Sequence, residues 1–126
     1  MYIIGVAGGS GSGKTTFSEK IISKVSHEKA AVLNQDCYYL AAPPDEIKVH
    51  GQSNFDHPKA FDWALLKTHI KAIKKGKSIQ VPIYNYESSC RTDETQEVGP
   101  CQVLILEGIF VLWDEELRNL FDLKVY

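Results

Sequence analysis

The sequence is short of arginine, of pairable cysteines and of long apolar runs, and each shortage excludes something. No apolar run approaches the about 20 residues that cross a bilayer, so a transmembrane helix is excluded. The opening Met1-Tyr2-Ile3-Ile4-Gly5-Val6 lacks a basic flank and breaks into glycines after one strand's length, as a buried strand does and an export signal does not. A cytoplasmic chain is expected. Cys37, Cys90 and Cys101 form no C-x-x-C pair and leave one over in any disulfide scheme, which points to reduced thiols. His27, His50, His57 and His69 lack metal-ligand spacing, and a protein-built zinc site is set aside. Fourteen basic against 16 acidic side chains leave a net charge of −2. This argues against nucleic-acid binding by bulk electrostatics, which usually goes with a basic patch and a pI above about 9. Any anion site must be local, and neither nucleic acid nor membrane is expected as a partner.

What is present suits one domain spanning residues 1–126, with 44% hydrophobic and 24% charged residues. Tyr2 to Val6 reads as a strand buried on both faces that runs into a glycine loop. Phe17, Ile21, Ile22 and Val25 then share one face of an amphipathic helix, and Ala30 to Leu33 is a second strand ended by Asn34-Gln35-Asp36. Strand, loop, helix and strand in that order predict a parallel crossover. Ala41 to Lys59, with Pro43, Pro44, Gly51 and Pro58, reads as a loop along one edge. Asp62 is placed to cap a helix carrying Leu65, Leu66, His69, Ile70 and Ile73, and Gly76 follows its basic last turn. Ser78 to Tyr86 and Thr92 to Val98 suggest an antiparallel hairpin with Pro82 on an edge strand. Val103 to Leu106 is a further apolar strand, Asp114 to Leu120 a helix with Arg118 on its solvated face, and Leu123 to Tyr126 the start of a last strand. With Gly8-Gly9-Ser10-Gly11-Ser12-Gly13-Lys14-Thr15 between the first strand and helix, the expected fold is α/β, a Rossmann-like P-loop NTPase with a three-layer parallel sheet and a hairpin insertion.

Gly8-Gly9-Ser10-Gly11-Ser12-Gly13-Lys14-Thr15 matches G-x-x-x-x-G-K-[ST] between a strand and a helix, the context the phosphate-binding loop requires. A chance match in a chain this long is on the order of one in a few hundred, given glycine at about 7% of residues. Glycines let the backbone N–H groups turn inward on a phosphate, and the helix behind adds the positive end of its dipole. Lys14 then neutralises the β- and γ-phosphates while the Thr15 hydroxyl binds Mg²⁺. Proteins of this kind hold Mg²⁺ also through a carboxylate at the end of a second apolar strand, where Glu107 stands. Asp36 emerges at the same carboxyl edge and could orient an acceptor hydroxyl, although by spacing alone an aspartate that merely ends a strand is the preferred reading.

Taken together, Gly8 to Thr16, Asn34-Gln35-Asp36-Cys37-Tyr38-Tyr39, Asn54-Phe55-Asp56-His57-Pro58, Val81-Pro82-Ile83-Tyr84 and Leu106-Glu107-Gly108-Ile109 resemble the uridine/cytidine kinase family of P-loop nucleoside kinases, in order along essentially the whole chain. The Asn-Phe-Asp-His-Pro segment is the most specific, because phosphoribulokinases and pantothenate kinases share the P-loop without that wording. The resemblance implies transfer of the γ-phosphate of ATP or GTP, with Mg²⁺, to the 5′-hydroxyl of uridine or cytidine in pyrimidine salvage. It assigns Gly8, Gly9, Ser10, Gly11, Ser12, Gly13, Lys14, Thr15 and Thr16 to the nucleotide, Thr15 and Glu107 to Mg²⁺, Asp36 to the hydroxyl proton and Asp56 to the ribose hydroxyls. Tyr39, Phe55, Tyr84, Tyr86 and Arg91 match positions around the base, with hydrophobic packing as the plainer reading of the aromatics.

The chain departs from the family's wording in two places. Family members carry a base-contacting histidine where this chain has Ser89, and an aspartate where it has Asn85, so the choice between uracil and cytosine does not carry over. The family also continues past the strand that Leu123 begins, into an arginine-rich lid helix and a last strand. With Arg91 and Arg118 the only arginines, the lid is expected to be absent and turnover slow, since such an arginine supplies about 10³–10⁵ in rate. A non-catalytic nucleotide-binding or assembly module and a phosphoribulokinase-like kinase are the alternatives. A homotetramer with feedback control by CTP or UTP is implied by the resemblance alone.

Overall fold

The computed structural model describes residues 2–8, 19–20, 23–24, 29–40, 48–49, 52–53, 58–85 and 90–125. In chain order the elements are β1 (Tyr2–Ala7), β2 (Ala30–Asn34), a 3₁₀ turn (Gln35–Tyr38), β3 (Lys48–Val49), β4 (Gln52–Ser53), a second 3₁₀ turn (Pro58–Ala60), α1 (Trp63–Lys74), β5 (Ile79–Asn85), β6 (Cys90–Val98), β7 (Val103–Gly108), α2 (Glu115–Arg118) and β8 (Leu123–Val125). Residues 19–20 and 23–24 are helical and exposed, as the polar face of the helix behind the glycine loop should be. Its apolar positions, Phe17, Ile21, Ile22 and Val25, lie outside the described residues.

Why the central strands are apolar without interruption follows from their place. The main sheet is parallel in the order β2-β7-β1-β8, and both of its faces are covered. Ile3, Leu33, Leu104 and Leu106 pack into the larger core with Leu66, Ile70 and Ile73 of α1, while Ile4, Val6 and Ile105 form a cluster of their own with Val103 and Val125. Successive side chains thus enter opposite layers, which is what a parallel strand with no wet face requires. Each such side chain contributes about 1.5–3 kcal/mol when fully buried.

Local chemistry sets the ends of α1. Asp62 caps it, its Oδ1 accepting from Leu65 N at 3.1 Å. At the other end Gly76 N–H donates to Ile73 O at 2.9 Å and Lys77 N–H to Ala72 O at 3.1 Å, with Gly76 at φ +82°. This paired closure needs a left-handed residue, a conformation that glycine adopts without steric cost. Three lysines one turn apart then lace α1 to the α2 region. Lys67 reaches Asp114 at 3.3 Å, Lys71 reaches Glu116 at 2.7 Å, and Lys74 reaches the Leu120 carbonyl at 3.3 Å.

The hairpin forms as expected, β5 against β6, and its first strand packs on the 3₁₀ turn that carries Asp36. The register shifts between Pro82 and Tyr84, and Thr92 Oγ1 donates to Ile83 O at 2.7 Å beside the irregularity. A proline lacks the N–H to continue a ladder, so pairing is interrupted where the sequence predicts an edge.

Three expectations change. The segment read as a loop from Ala41 to Lys59 contains the short antiparallel pair β3 and β4 and leads into the turn at Pro58. Two-residue strands are too short for any periodicity to announce them. The helix expected over Asp114 to Leu120 is helical only at Glu115–Arg118, with Asp114 as its cap, because the chain tightens through Leu120 N–H to Leu117 O and delivers Phe121 to the core. Arg118 is half-buried, not solvated, and its Nη1 donates to Leu112 O at 3.1 Å.

Candidate active site

The carboxyl ends of β2, β7 and β1 lie side by side. In register, Glu107 stands between Val6 on one side and Asn34 on the other, and Gly8 N–H donates to Gly108 O at 3.2 Å. The glycine loop therefore leaves the sheet directly beside the end of β7. Glu107 is buried with 7% exposure, although the surrounding strand residues are apolar. A buried carboxylate at this edge is the hard oxygen donor that Mg²⁺ prefers, and Mg²⁺ is commonly held by one or two protein oxygens together with phosphate and water. Among the described residues no three His, Cys, Asp or Glu side chains converge as a complete cage.

Asp36 arrives at the same edge by a local device. Asn34 ends β2, and its Oδ1 accepts from Asp36 N at 2.9 Å, capping the 3₁₀ turn and turning the chain out of the sheet. Tyr38, fully buried, anchors the far end of that turn: its hydroxyl lies 2.7 Å from His69 Nδ1 on α1, with the rings edge to face at 5.6 Å. The chain beyond is held by Leu40 N–H to Ala60 O at 2.8 Å and Asp62 N–H to Tyr38 O at 2.7 Å. Burial, and then the Asp36 charge, push the Cys37 thiol above its ordinary range, so Cys37 stays protonated beside the carboxylate.

Sequence reasoning missed Gln35. It is fully buried, its Oε1 accepts from Phe110 N at 3.0 Å, and its Nε2 has no hydrogen-bond partner among the described residues. It also fills the space above Gly108, where an added Cβ would lie 2.6 Å from Oε1. No local signal identifies it, because its partner is 75 residues away.

Of the remaining expected site residues, Tyr39 is stacked on Phe61 at 4.6 Å in a small aromatic cluster that Phe110 and Trp63 join. Tyr84 and Arg91 are cross-strand neighbours in the hairpin register. Gly9 to Thr16, Phe55, Asp56, Tyr86 and Ser89 lie outside the described residues. The structure thus brings together Gly8, Asp36 and Glu107 at one edge, with Tyr39 and the hairpin near the turn.

A parallel α/β sheet with a phosphate-loop sequence after its first strand defines the P-loop kinase fold. Residues 3–126 match the model of the Phosphoribulokinase / Uridine kinase family, and the chain belongs to that family. It is 44% identical over 125 residues to a uridine kinase of Deinococcus deserti, covering 99% of this chain and 60% of the relative. A uridine kinase of Lactobacillus helveticus is 42% identical over 125 residues, covering 98% and 59%. The chain spans about 60% of the length of these curated relatives. Among solved structures, "a Possible Uridine Kinase from Bacillus stearothermophilus" superposes with a TM-score of 0.75 at 22% identity, over 99% of this chain and 69% of that one. D-glycerate 3-kinase from Cryptococcus neoformans gives 0.57 at 26% identity, over 87% and 43%. At these identities the structural matches speak for the fold.

Proposed function

We propose that this chain carries the nucleotide and acceptor sites of a nucleoside kinase that transfers the γ-phosphate of ATP or GTP to the 5′-hydroxyl of uridine or cytidine, giving UMP or CMP in cytoplasmic pyrimidine salvage. The observation that carries the reading is the placement of the Asp36 turn beside the end of β7: Asn34 is in register with Glu107, and Gln35 bonds to the backbone just past Gly108. Two carboxylates at one strand edge, next to the exit of the phosphate loop, suit the division of labour in phosphoryl transfer.

In this reading Gly8 to Thr16 wrap the triphosphate, and Lys14 neutralises its β- and γ-oxygens. Thr15 and Glu107 hold Mg²⁺, which when bound offsets the charge on the transferring phosphoryl group. Asp36 orients the 5′-hydroxyl and takes its proton late in the transfer. An ionised carboxylate accepts hydrogen bonds only, which fits Asp56 to the ribose hydroxyls. Tyr39 forms part of the pocket wall through its stack on Phe61, while Phe55, Tyr84, Tyr86, Ser89 and Arg91 surround the base. The identity to curated uridine kinases supports the choice of acceptor class.

The test is a phosphate-transfer assay with uridine and cytidine on the wild type and Asp36→Asn, with ATP binding followed separately. Asp36→Asn is expected to lose about 10²–10⁴-fold in kcat while ATP binding is kept. Unchanged turnover would remove Asp36 from the proton-accepting role, and a wild type that phosphorylates another alcohol but neither nucleoside would overturn the acceptor assignment.

A further inference from the structure

Gln35 carries one unpaired amide end. Its buried Nε2 has no acceptor among the described residues, and an apolar side chain of similar shape would remove that donor while leaving the Phe110 N–H without its acceptor. What the amide does provide is a tether. Its Oε1 takes the Phe110 N–H at 3.0 Å, two residues after Gly108, while its own backbone lies between Asn34, the cap of the turn, and Asp36. The tether is seated as well as bonded. Gly108 has no Cβ, and the Gln35 side chain occupies the space that one would take. Gly108 in turn accepts the Gly8 N–H through its carbonyl. One side chain therefore touches the segment bearing Asp36 and the strand end bearing Glu107, and that strand end is bonded to the start of the phosphate loop.

We propose that Gln35 is a positioning residue: it sets the distance between the Asp36 carboxylate and the Glu107 strand end. The proposal deepens the kinase reading and rests on it for its kinetic part. Phosphoryl transfer depends on reactant geometry at the ångström level, where a displacement of about 1 Å can cost on the order of 100-fold in rate. The Asn34 cap fixes the direction of the turn, the β2–β7 pairing fixes its start, and the Gln35 bond ties the residue next to Asp36 to the chain just past β7. Gln35 itself touches no reacting atom in this account.

The experiment compares the wild type with Gln35→Met, which keeps the volume and removes both polar atoms, and with Gly108→Ala, which pushes Gln35 from its seat from the opposite side. Three quantities are read for each: the urea midpoint, kcat and KM for uridine and ATP, and the crystallographic position of the Asp36 turn relative to Glu107. For Gln35→Met the expected result is kcat lower by about 10- to 100-fold, both KM values within about twofold, a displaced Asp36 turn, and a urea midpoint close to wild type, because the variant exchanges the unpaired Nε2 for an unpaired Phe110 N–H. Gly108→Ala should show the same displacement and the same loss in kcat. A Gln35→Met chain with a lowered midpoint and wild-type kcat would mean that the amide serves stability alone and would overturn the proposal. So would an Asp36 turn that stays in place in both variants. If the wild type phosphorylates another alcohol but neither uridine nor cytidine, the nucleoside kinase reading fails, whereas the crystal positions still decide whether Gln35 sets the turn.

Discussion

At the scale of single residues, the candidate site is built from short-range devices joined by long-range bonds, among them that from Phe110 N to Gln35 Oε1. Asn34 accepting from the Asp36 amide is local and follows from an asparagine at a strand end. The Asp62 cap and the Gly76 closure of α1 are likewise local, and for that reason both are legible in the sequence. Gln35 is not, because its meaning lies in the Phe110 amide and in the missing Cβ of Gly108. Cys37 offers a direct probe of the same turn. Its thiol is raised first by burial and then by the Asp36 charge, so the midpoint of its alkylation rate against pH should lie above the ordinary thiol value of about 8.5. Asp36→Asn removes the second cause and should bring that midpoint part of the way down, as followed by peptide-resolved mass spectrometry. A Cys37 midpoint at or below the ordinary value would contradict the burial of the turn.

Among the elements, those with a strong period or clear punctuation were readable. β1, β2 and β7 are apolar runs, α1 repeats at helical spacing, and the hairpin alternates around Pro82. β3 and β4 carry no such signal, and α2 is cut short by the route its chain takes to bring Phe121 inside. How α1 meets α2 was also hidden, since the lysines that lace them have partners 45 to 47 residues further on. The Lys71 contact is testable by pH. Hydrogen bonding from Lys71, then its charge and that of Lys67, hold the Glu116 carboxyl below its ordinary range. A carboxyl depressed on folding contributes stability above its unfolded pKa and loses it as pH falls through the folded one. The urea midpoint of the wild type should therefore exceed that of Glu116→Gln by a small margin at pH 7, and the margin should close on acidification below the carboxylate range. Both partners are half-exposed or more, so salt should shrink the margin as well. A difference independent of pH would assign the effect to something other than this pair.

For the molecule as a whole, the sheet order β2-β7-β1-β8 is the decisive fact, because it sets Glu107 between the strand that feeds the glycine loop and the strand that ends at Asn34. The same order brings β8 beside β1, where Asp122 brackets Ile3: its Oδ2 accepts from Ile3 N and its amide donates to Ile3 O, each at 2.7 Å. Just before this bracket the Phe121 ring occupies the space where a Cβ on Gly5 would lie. Gly5→Ala is accordingly expected to destabilise by about 1–3 kcal/mol in urea denaturation. Adding Phe121→Leu should recover part of that loss, with a coupling of about 0.5–3 kcal/mol in the double-mutant cycle. Strictly additive effects would show that the ring does not exclude the methyl group. Period and punctuation pointed to the α/β class, and the resemblance of the motifs to a known family pointed to the family and to the candidate carboxylates, because each motif is written in residues close together in the chain. Tertiary structure alone decided which strands are neighbours, that Asn34 stands in register with Glu107, and that Gln35 ties the Asp36 turn to the end of β7. Those relations join residues that are distant in sequence, and only the pairing and packing of the strands brings them together.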